Sequence, residues 1–310
     1  MAFTAFEWRV RACRLVAALA CALGMGANAW AQAETPSPGS TLQRIQASGV
    51  VVIGHRESSL PMSYVAGGKP MGYSVDICLQ IAQALGRHLK LREARVDYRL
   101  VTSSSRFDAI EKGEVDLECG STTNTAARRD RVAFTIAHFI ASSRIVVQSD
   151  KPYSRIEDLD GRTVASTAGT TNIDSLAREA TAKSVRVRIE PAKDHAEGFA
   201  WVVSGKVEGF AMDDVLLYGL RASHARPQDL KVIGKPMTIE PYAVAFERNN
   251  PELKAVVDAE LRRLIQTREL HRLYDKWFTQ PIPPQGINLG MRMPHLLVDS
   301  LKYPSDYVPQ

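Results

Sequence analysis

LECGSTTNTAARRDRVAFT, residues 117–135, starts as an apolar strand-like run. It passes through Ser121, Thr122, Thr123, Asn124 and Thr125, and enters a burst of arginines at Arg128, Arg129 and Arg131. Two readings compete. One is a helix cap followed by a solvated charged face. The other is an anion site, in which free backbone N–H groups and hydroxyls at a helix start are joined by an arginine able to grip a carboxylate with two prongs. A strand, a hydroxyl-rich turn and a helix start recur in TVASTAGTTNIDSL, 163–176. One such turn is explained by capping, whereas two turns in two separate units suit two jaws closing on one acidic ligand. Both turns read as a strand feeding a helix, the repeating step of a layered α/β fold.

Working outward, GVVVIGH (49–55) is a β-branched run bounded by glycine, and DICLQIAQALGRHL (76–89) carries Ile77, Ile81 and Leu85 at helical spacing. LREARVDYRLV (91–101) alternates as a strand, RFDAIEKGE is a short helix ending near Gly113, and VDLEC is a strand. SRIVVQSD (143–150) leaves this first unit as a strand. A second unit begins at Arg155 with a short helix in IEDL, the strand RTVAST and a helix after the Gly-Thr-Thr turn. SVRVRIEPA is a strand, HAEGFAWVVSGKVEGFAMDD gives helix, turn and strand, and VLLYGLRASH is a helix. KVIGKPMTIEPYAVAFERN returns the chain as strands. Leu253, Val256, Val257, Leu261 and Leu264 then form a helical stripe, followed by the helix ELHRLYDKWF. These last helices are expected to pack back on the first unit. The tail QPIPPQGINLGMRMPHLLVDSLKYPSDYVPQ is Pro-rich and aperiodic, and is expected to be extended over the surface or partly disordered. The expectation is an α/β protein with mostly parallel strands.

At 310 residues the chain can hold two domains. Arg9, Arg11 and Arg14 precede the apolar LVAALACALGMGANAWAQA, whose end offers two A-x-A sites, so residues 1–33 read as a secretory signal peptide. A membrane anchor is the competing reading, but Leu15 to Trp30 is short for a span. Without residues 1–33 the chain has 36 basic and 33 acidic residues, a formal +3, with no long basic block. That argues against nucleic acid as a partner. Cys78 and Cys119 remain, able to pair in an oxidising compartment or to serve as small buried apolar residues. C-x-x-C, H-E-x-x-H, P-loop, G-x-G-x-x-G and G-x-S-x-G motifs are all missing, and the seven histidines show no ligand spacing. No cofactor, metal or catalytic group is expected.

Several stretches together resemble a known family: GHRESSLPMSY (54–64), GYSVDIC (72–78), VTSSSRF (101–107), LECGSTTNTAARR (117–129), STAGTTN (166–172), AKDHAEGF (192–199), AMDDVLLYG (211–219) and DKWFTQPIPP (275–284). They look like the bacterial family 3 solute-binding proteins of ABC transporters, in the glutamate/aspartate-binding branch, and they fail only beyond about Asn288. The resemblance implies a two-lobed periplasmic binding protein of type II. Each lobe would be a mixed, mostly parallel sheet flanked by helices, with the ligand cleft between them. Lobe 1 is expected at 40–143 plus 246–310 and lobe 2 at 144–245, working as a monomer in the periplasm with a membrane permease as partner.

The family's residue roles carry over by position. Ser121, Thr123 and Arg128 would hold the α-carboxylate, Thr170 and Thr171 would close on it from the other lobe, and Asp213 would take the α-ammonium. Arg56, Ser103, Arg106 and His195 would hold the side-chain carboxylate. The chemistry agrees with this, since a dry site for L-glutamate or L-aspartate must match two carboxylates and one ammonium, and each unpaired buried charge costs several kcal/mol. Ordinary roles compete: Arg128 as a solvated arginine, His195 as a core histidine, Thr170 as a helix cap, and Asp213-Asp214 as a cap pair. Asp214 is taken as the cap and Asp213 as the ligand residue. The rival functions are a dehydratase-like periplasmic enzyme, with His195 and Glu57 as the only acid or base candidates, and an amino-acid sensor module.

Overall fold

The apolar runs and turns become 24 helices and strands in a computed structural model that describes residues 39–308. The expected signal peptide, 1–33, lies outside the described residues. In chain order the elements begin with α1 (Thr41–Ser48), β1 (Val50–His55), β2 (Ser58–Ser59), β3 (Ser63–Ala66), β4 (Lys69–Met71), α2 (Tyr73–His88), β5 (Arg95–Leu100), α3 (Arg106–Glu111) and β6 (Leu117–Glu118). Next come β7 (Ala133–Phe134), β8 (Phe139–Ala141), β9 (Ser143–Gln148), β10 (Thr163–Thr167), α4 (Thr171–Ala182), β11 (Arg188–Ala192), α5 (His195–Val203), β12 (Gly209–Asp213) and α6 (Asp214–Ser223). The chain ends with β13 (Leu230–Ile233), β14 (Glu240–Tyr242), β15 (Ala245–Phe246), α7 (Pro251–Gln266), α8 (Glu269–Phe278) and α9 (His295–Lys302).

Two five-stranded sheets make the two lobes. The first has the order β5-β1-β6-β15-β7, with β1 parallel to β5 and β6, and with β15 antiparallel to both its neighbours. The second has the order β11-β10-β12-β9-β13, parallel from β11 to β12 and antiparallel on either side of β9. The chain leaves the first sheet through β8 and comes back through β14, and these two short strands pair antiparallel. The late strands β9 and β15 therefore carry the antiparallel exceptions, because each enters its sheet from this crossing.

An aromatic cluster anchors the crossing. Phe139 of β8 stacks on Phe278 at 5.2 Å between ring centroids, Phe278 stacks on Tyr274 at 4.2 Å, and Tyr73 meets Phe278 edge-on at 5.4 Å. Helices α7 and α8 thus pack against α2 beside the root of the crossing. The Tyr73 hydroxyl donates to the His138 carbonyl at 2.9 Å, satisfying a buried polar group there. Cys78 of α2 and Cys119, just beyond β6, form a disulfide.

Three expectations change. Residues after the first hydroxyl turn form only a 3-10 turn, Ala127–Asp130, because the chain must reach β7 at Ala133 and ARRD offers no apolar stripe for a longer helix. The tail is neither wholly extended nor aperiodic. It contains α9, whose Leu297 and Leu301 lie four residues apart and are both buried. Arg129, read as part of a solvated charged face, is only partly exposed and is tied down, donating to Asn124 Oδ1 at 2.9 Å and to the tail carbonyl of Asp306.

Candidate functional site

Each lobe delivers its site residues from the carboxyl ends of its parallel strands, where side chains of the following loops converge. Arg56 follows β1, Ser103 and Arg106 follow β5, and Ser121 and Thr123 follow β6. From the second lobe, Thr170 and Thr171 follow β10, His195 follows β11, and Asp213 ends β12. Ser103, Arg106, Ser121, Thr123, Arg128, Thr170, Thr171, His195 and Asp213 line one narrow, nearly closed-up cleft, together with Met212. Arg56 stands directly behind this wall and donates from Nη2 to Ser103 Oγ at 2.6 Å.

The crossing strand, rather than a helix, holds the first hydroxyl turn. Thr123 bridges Tyr242, Asn124 N–H donates to the Pro241 carbonyl at 2.8 Å, and Ala243 N–H donates to the Thr122 carbonyl at 3.0 Å. Arg128 folds back on the turn, donating from Nη1 to the Thr123 carbonyl at 2.8 Å. The lobes meet at Gly169, whose carbonyl accepts from Arg106 Nη2 at 3.1 Å and Arg128 Nη2 at 3.4 Å. Phe107 underlies this cationic wall, 4.9 Å from the Arg106 guanidinium carbon and 5.6 Å from that of Arg128.

One capping assignment is corrected, and the competing cap reading of Thr170 holds for its position but not for its hydroxyl. Thr170 sits at the N-cap of α4 but its hydroxyl donates instead to the Thr167 carbonyl at 2.7 Å. Asp213, not Asp214, occupies the N-cap position of α6, yet its carboxylate turns away into the cleft wall. There Oδ1 accepts from Asn172 Nδ2 at 3.1 Å and Oδ2 from the Tyr242 hydroxyl at 2.5 Å. Asp214 Oδ1 takes the N–H of Val215 at 2.7 Å and of Ser142 at 3.2 Å. Its role is to tie α6 to the start of β9.

The electrostatics are those of a crowded, largely buried ionic site. Burial, and next the repulsion of Arg106, brings Arg56 down to about 10. Burial and Arg106 likewise bring Arg128 down to about 9, and burial lowers Arg106. His195 is pushed well below the ordinary histidine value by burial and by Arg56 and Arg106, which keeps it neutral. Its Nδ1 lies 2.8 Å from Thr167 Oγ1. Among the described residues, His195 Nε2, Arg56 Nη1 and Arg106 Nε are buried without a protein partner. Asp213 is raised to about 7 by burial and by the nearby Glu240, against the pull of its Tyr242 and Asn172 hydrogen bonds.

Sequence reasoning missed two carboxylates. Glu118, fully buried, offers negative charge to Arg56 and Arg106. Glu240, 3 % exposed, accepts from the Thr171 hydroxyl at 2.9 Å. Glu118 stood inside the quoted ECGSTTN motif, so its position was legible even though its role was not.

The cleft between the two lobes is lined with cations and hydroxyls. The description of bacterial extracellular solute-binding proteins, family 3, fits residues 51–280. The chain belongs to this family. It is 39 % identical over 268 residues to the L-glutamate/L-aspartate-binding protein of Pseudomonas aeruginosa, covering 86 % of this chain and 89 % of that one. It is 35 % identical over 286 residues to the glutamate/aspartate import solute-binding protein of Salmonella typhimurium, covering 92 % and 95 %. Among solved structures, an ancestral amino acid-binding protein described as a precursor of cyclohexadienyl dehydratase is 26 % identical, with a TM-score of 0.65 over 77 % of this chain and 100 % of that one. These relatives at 35–39 % identity are solute-binding proteins, so this family 3 member is a binding protein and not an enzyme.

Proposed function

We propose that this family 3 protein is the periplasmic substrate-binding component of an ABC importer and that it takes an acidic amino acid, L-glutamate or L-aspartate. The observation that carries the reading is the convergence of Arg56, Arg106 and Arg128 with Asp213 around one buried cleft. An amino acid with a second carboxylate supplies two anionic groups and one cationic group, and each must find a partner once water is excluded. Arg128, Ser121 and Thr123 receive the α-carboxylate, with the turn of Thr170 and Thr171 at the start of α4 closing over it from the other lobe through main-chain N–H groups rather than hydroxyls. Arg106, Ser103 and His195 receive the side-chain carboxylate, with Arg56 supporting Ser103. Asp213 receives the ammonium.

The lobes run from 40 to 143 plus 246 to 310, and from 144 to 245, with closure about the β8 and β14 crossing. The protein works as a monomer, binds no nucleic acid, and presents its closed face to a membrane permease after export. Ligand must favour the closed arrangement over the open one for this signal to exist. Calorimetric titration of refolded, ligand-free protein tests the assignment. L-Glutamate or L-aspartate should bind at micromolar concentration or tighter, while L-glutamine and L-arginine bind at least tenfold more weakly. Equal affinity for glutamine and glutamate would overturn the acidic specificity.

A further inference from the structure

Glu240 opens the returning strand β14 and lies almost fully buried, although the cleft does not need it to line its wall. Its Oε2 accepts from the Thr171 hydroxyl at 2.9 Å. Two residues on, Tyr242 emerges on the same side of the strand and donates to Asp213 Oδ2 at 2.5 Å. Asp213 Oδ1 is held by Asn172, whose own amide oxygen accepts from the Ser143 hydroxyl. One short strand thus delivers a carboxylate and a phenol to the corner where Asp213 stands.

Thr171 has a single hydroxyl proton and gives it to Glu240, so the hydroxyl turns lone pairs toward the cleft. A hydroxyl committed in that way accepts from an ammonium and cannot donate to a carboxylate. We propose that Glu240 is a positioning residue of the ammonium subsite: it sets Thr171 as an acceptor and, beside Asp213, gathers negative charge in the corner that takes the ligand ammonium. The inference deepens the acidic-amino-acid reading and rests on it.

The groups facing Asp213 support this. Tyr242 and Glu240 come from β14, Asp214 is its chain neighbour, Arg106 comes from α3, and Arg128 comes from the 3-10 turn. Asp213 is raised to about 7, so below that pH the free site carries the proton. An arriving ammonium favours the ionised carboxylate, and binding below pH 7 therefore releases a proton. Affinity then rises by about twofold at most from pH 7 to 8, and falls below 7 with a slope that approaches about tenfold per unit toward pH 5. His195, held neutral by burial and two arginines, is not the source of the released proton.

The test is titration calorimetry with L-glutamate at pH 7 in phosphate and in Tris, whose ionisation heats differ. The parent protein should release a measurable fraction of a proton, since burial and Glu240 raise Asp213 toward neutrality. In Glu240→Gln the neighbouring charge is gone, so release should fall to less than half the parent value and affinity about tenfold or more. Thr171→Val should weaken binding similarly, and Thr171→Ser should restore it, which keeps the test sound if Glu240→Gln fails to fold. Binding by the parent without proton release, or the same release in Glu240→Gln, overturns the role of Glu240 and leaves the acidic ligand standing. No binding of L-glutamate or L-aspartate removes both.

Discussion

At φ +76°, Gly169 turns its carbonyl toward Arg106 and Arg128, and a Cβ at this position would lie 2.8 Å from the Ser103 carbonyl oxygen. Both the backbone region and the approach of the opposite lobe therefore demand glycine. The clash involves main-chain atoms of the first lobe, so it arises only when the lobes meet. Gly169→Ala should weaken L-glutamate binding by roughly 10- to 100-fold, the equivalent of about 1–3 kcal/mol of backbone strain and displacement. Melting of the ligand-free protein should fall far less than its affinity does. A variant that binds as tightly as the parent in calorimetry would mean that this loop contact is not part of closure. At this scale the sequence was informative wherever a side chain and its purpose sat in one loop. Ser121, Thr123 and Arg128 could be proposed together because they lie within eight consecutive residues. Glu240 could not, because its meaning depends on Thr171 and Asp213, which only the return of the chain through the crossing brings near.

The first hydroxyl turn shows what an element contributes beyond its residues. Without an α-helix behind it, the turn has no helix terminus to order it. Its rigidity comes from the main-chain bonds to β14, from β6, and from the disulfide between Cys119 and Cys78 of α2. Sequence left that pair open, since spacing says nothing about distance across a fold. The bond joins residues 41 apart, a loop whose closure in the unfolded chain corresponds to about 4 kcal/mol in the entropic account. Cys78→Ser with Cys119→Ser should therefore lower stability by about 2–4 kcal/mol in urea unfolding, read as a shifted midpoint. Affinity should drop as well, because Cys119 lies two residues ahead of Ser121. The strands and helices with clear patterning, such as 49–55 and 76–89, were legible from a β-branched run and from apolar residues at helical spacing. The 3-10 turn was not: strand, polar turn and arginines look the same whether or not the chain has room to wind a helix.

Over the whole molecule, the lobes, the crossing and the tail form one mechanical system. The two lobes could be read from alternating strand and helix patterns, but the tail was misread because its prolines and glycines masked one short amphipathic helix. Helix α9 packs near β8, and Leu297 and Leu301 are buried in the large core that also contains Tyr242 and Phe278. Beyond it, the Asp306 carbonyl accepts from Asn124 Nδ2 at 3.3 Å and from Arg129, while its carboxylate meets Lys254 at 2.9 Å. Asn124 and Arg129 bracket Thr123 and Arg128, so the tail braces the hydroxyl turn from the outside. A chain ending at Met293 loses both buried leucines, each worth about 1.5–3 kcal/mol before the cost of ordering the segment. A net loss of about 2–3 kcal/mol should lower Tm by about 5–10 °C for a protein of this size. Calorimetric melting should show that drop, and L-glutamate affinity should fall by a smaller factor than in Gly169→Ala, since the brace does not touch the closing contact. An unchanged Tm would assign the packing of α9 no part in stability. A large affinity loss with no loss of Tm would instead make the tail a determinant of the hydroxyl turn's geometry rather than of the fold.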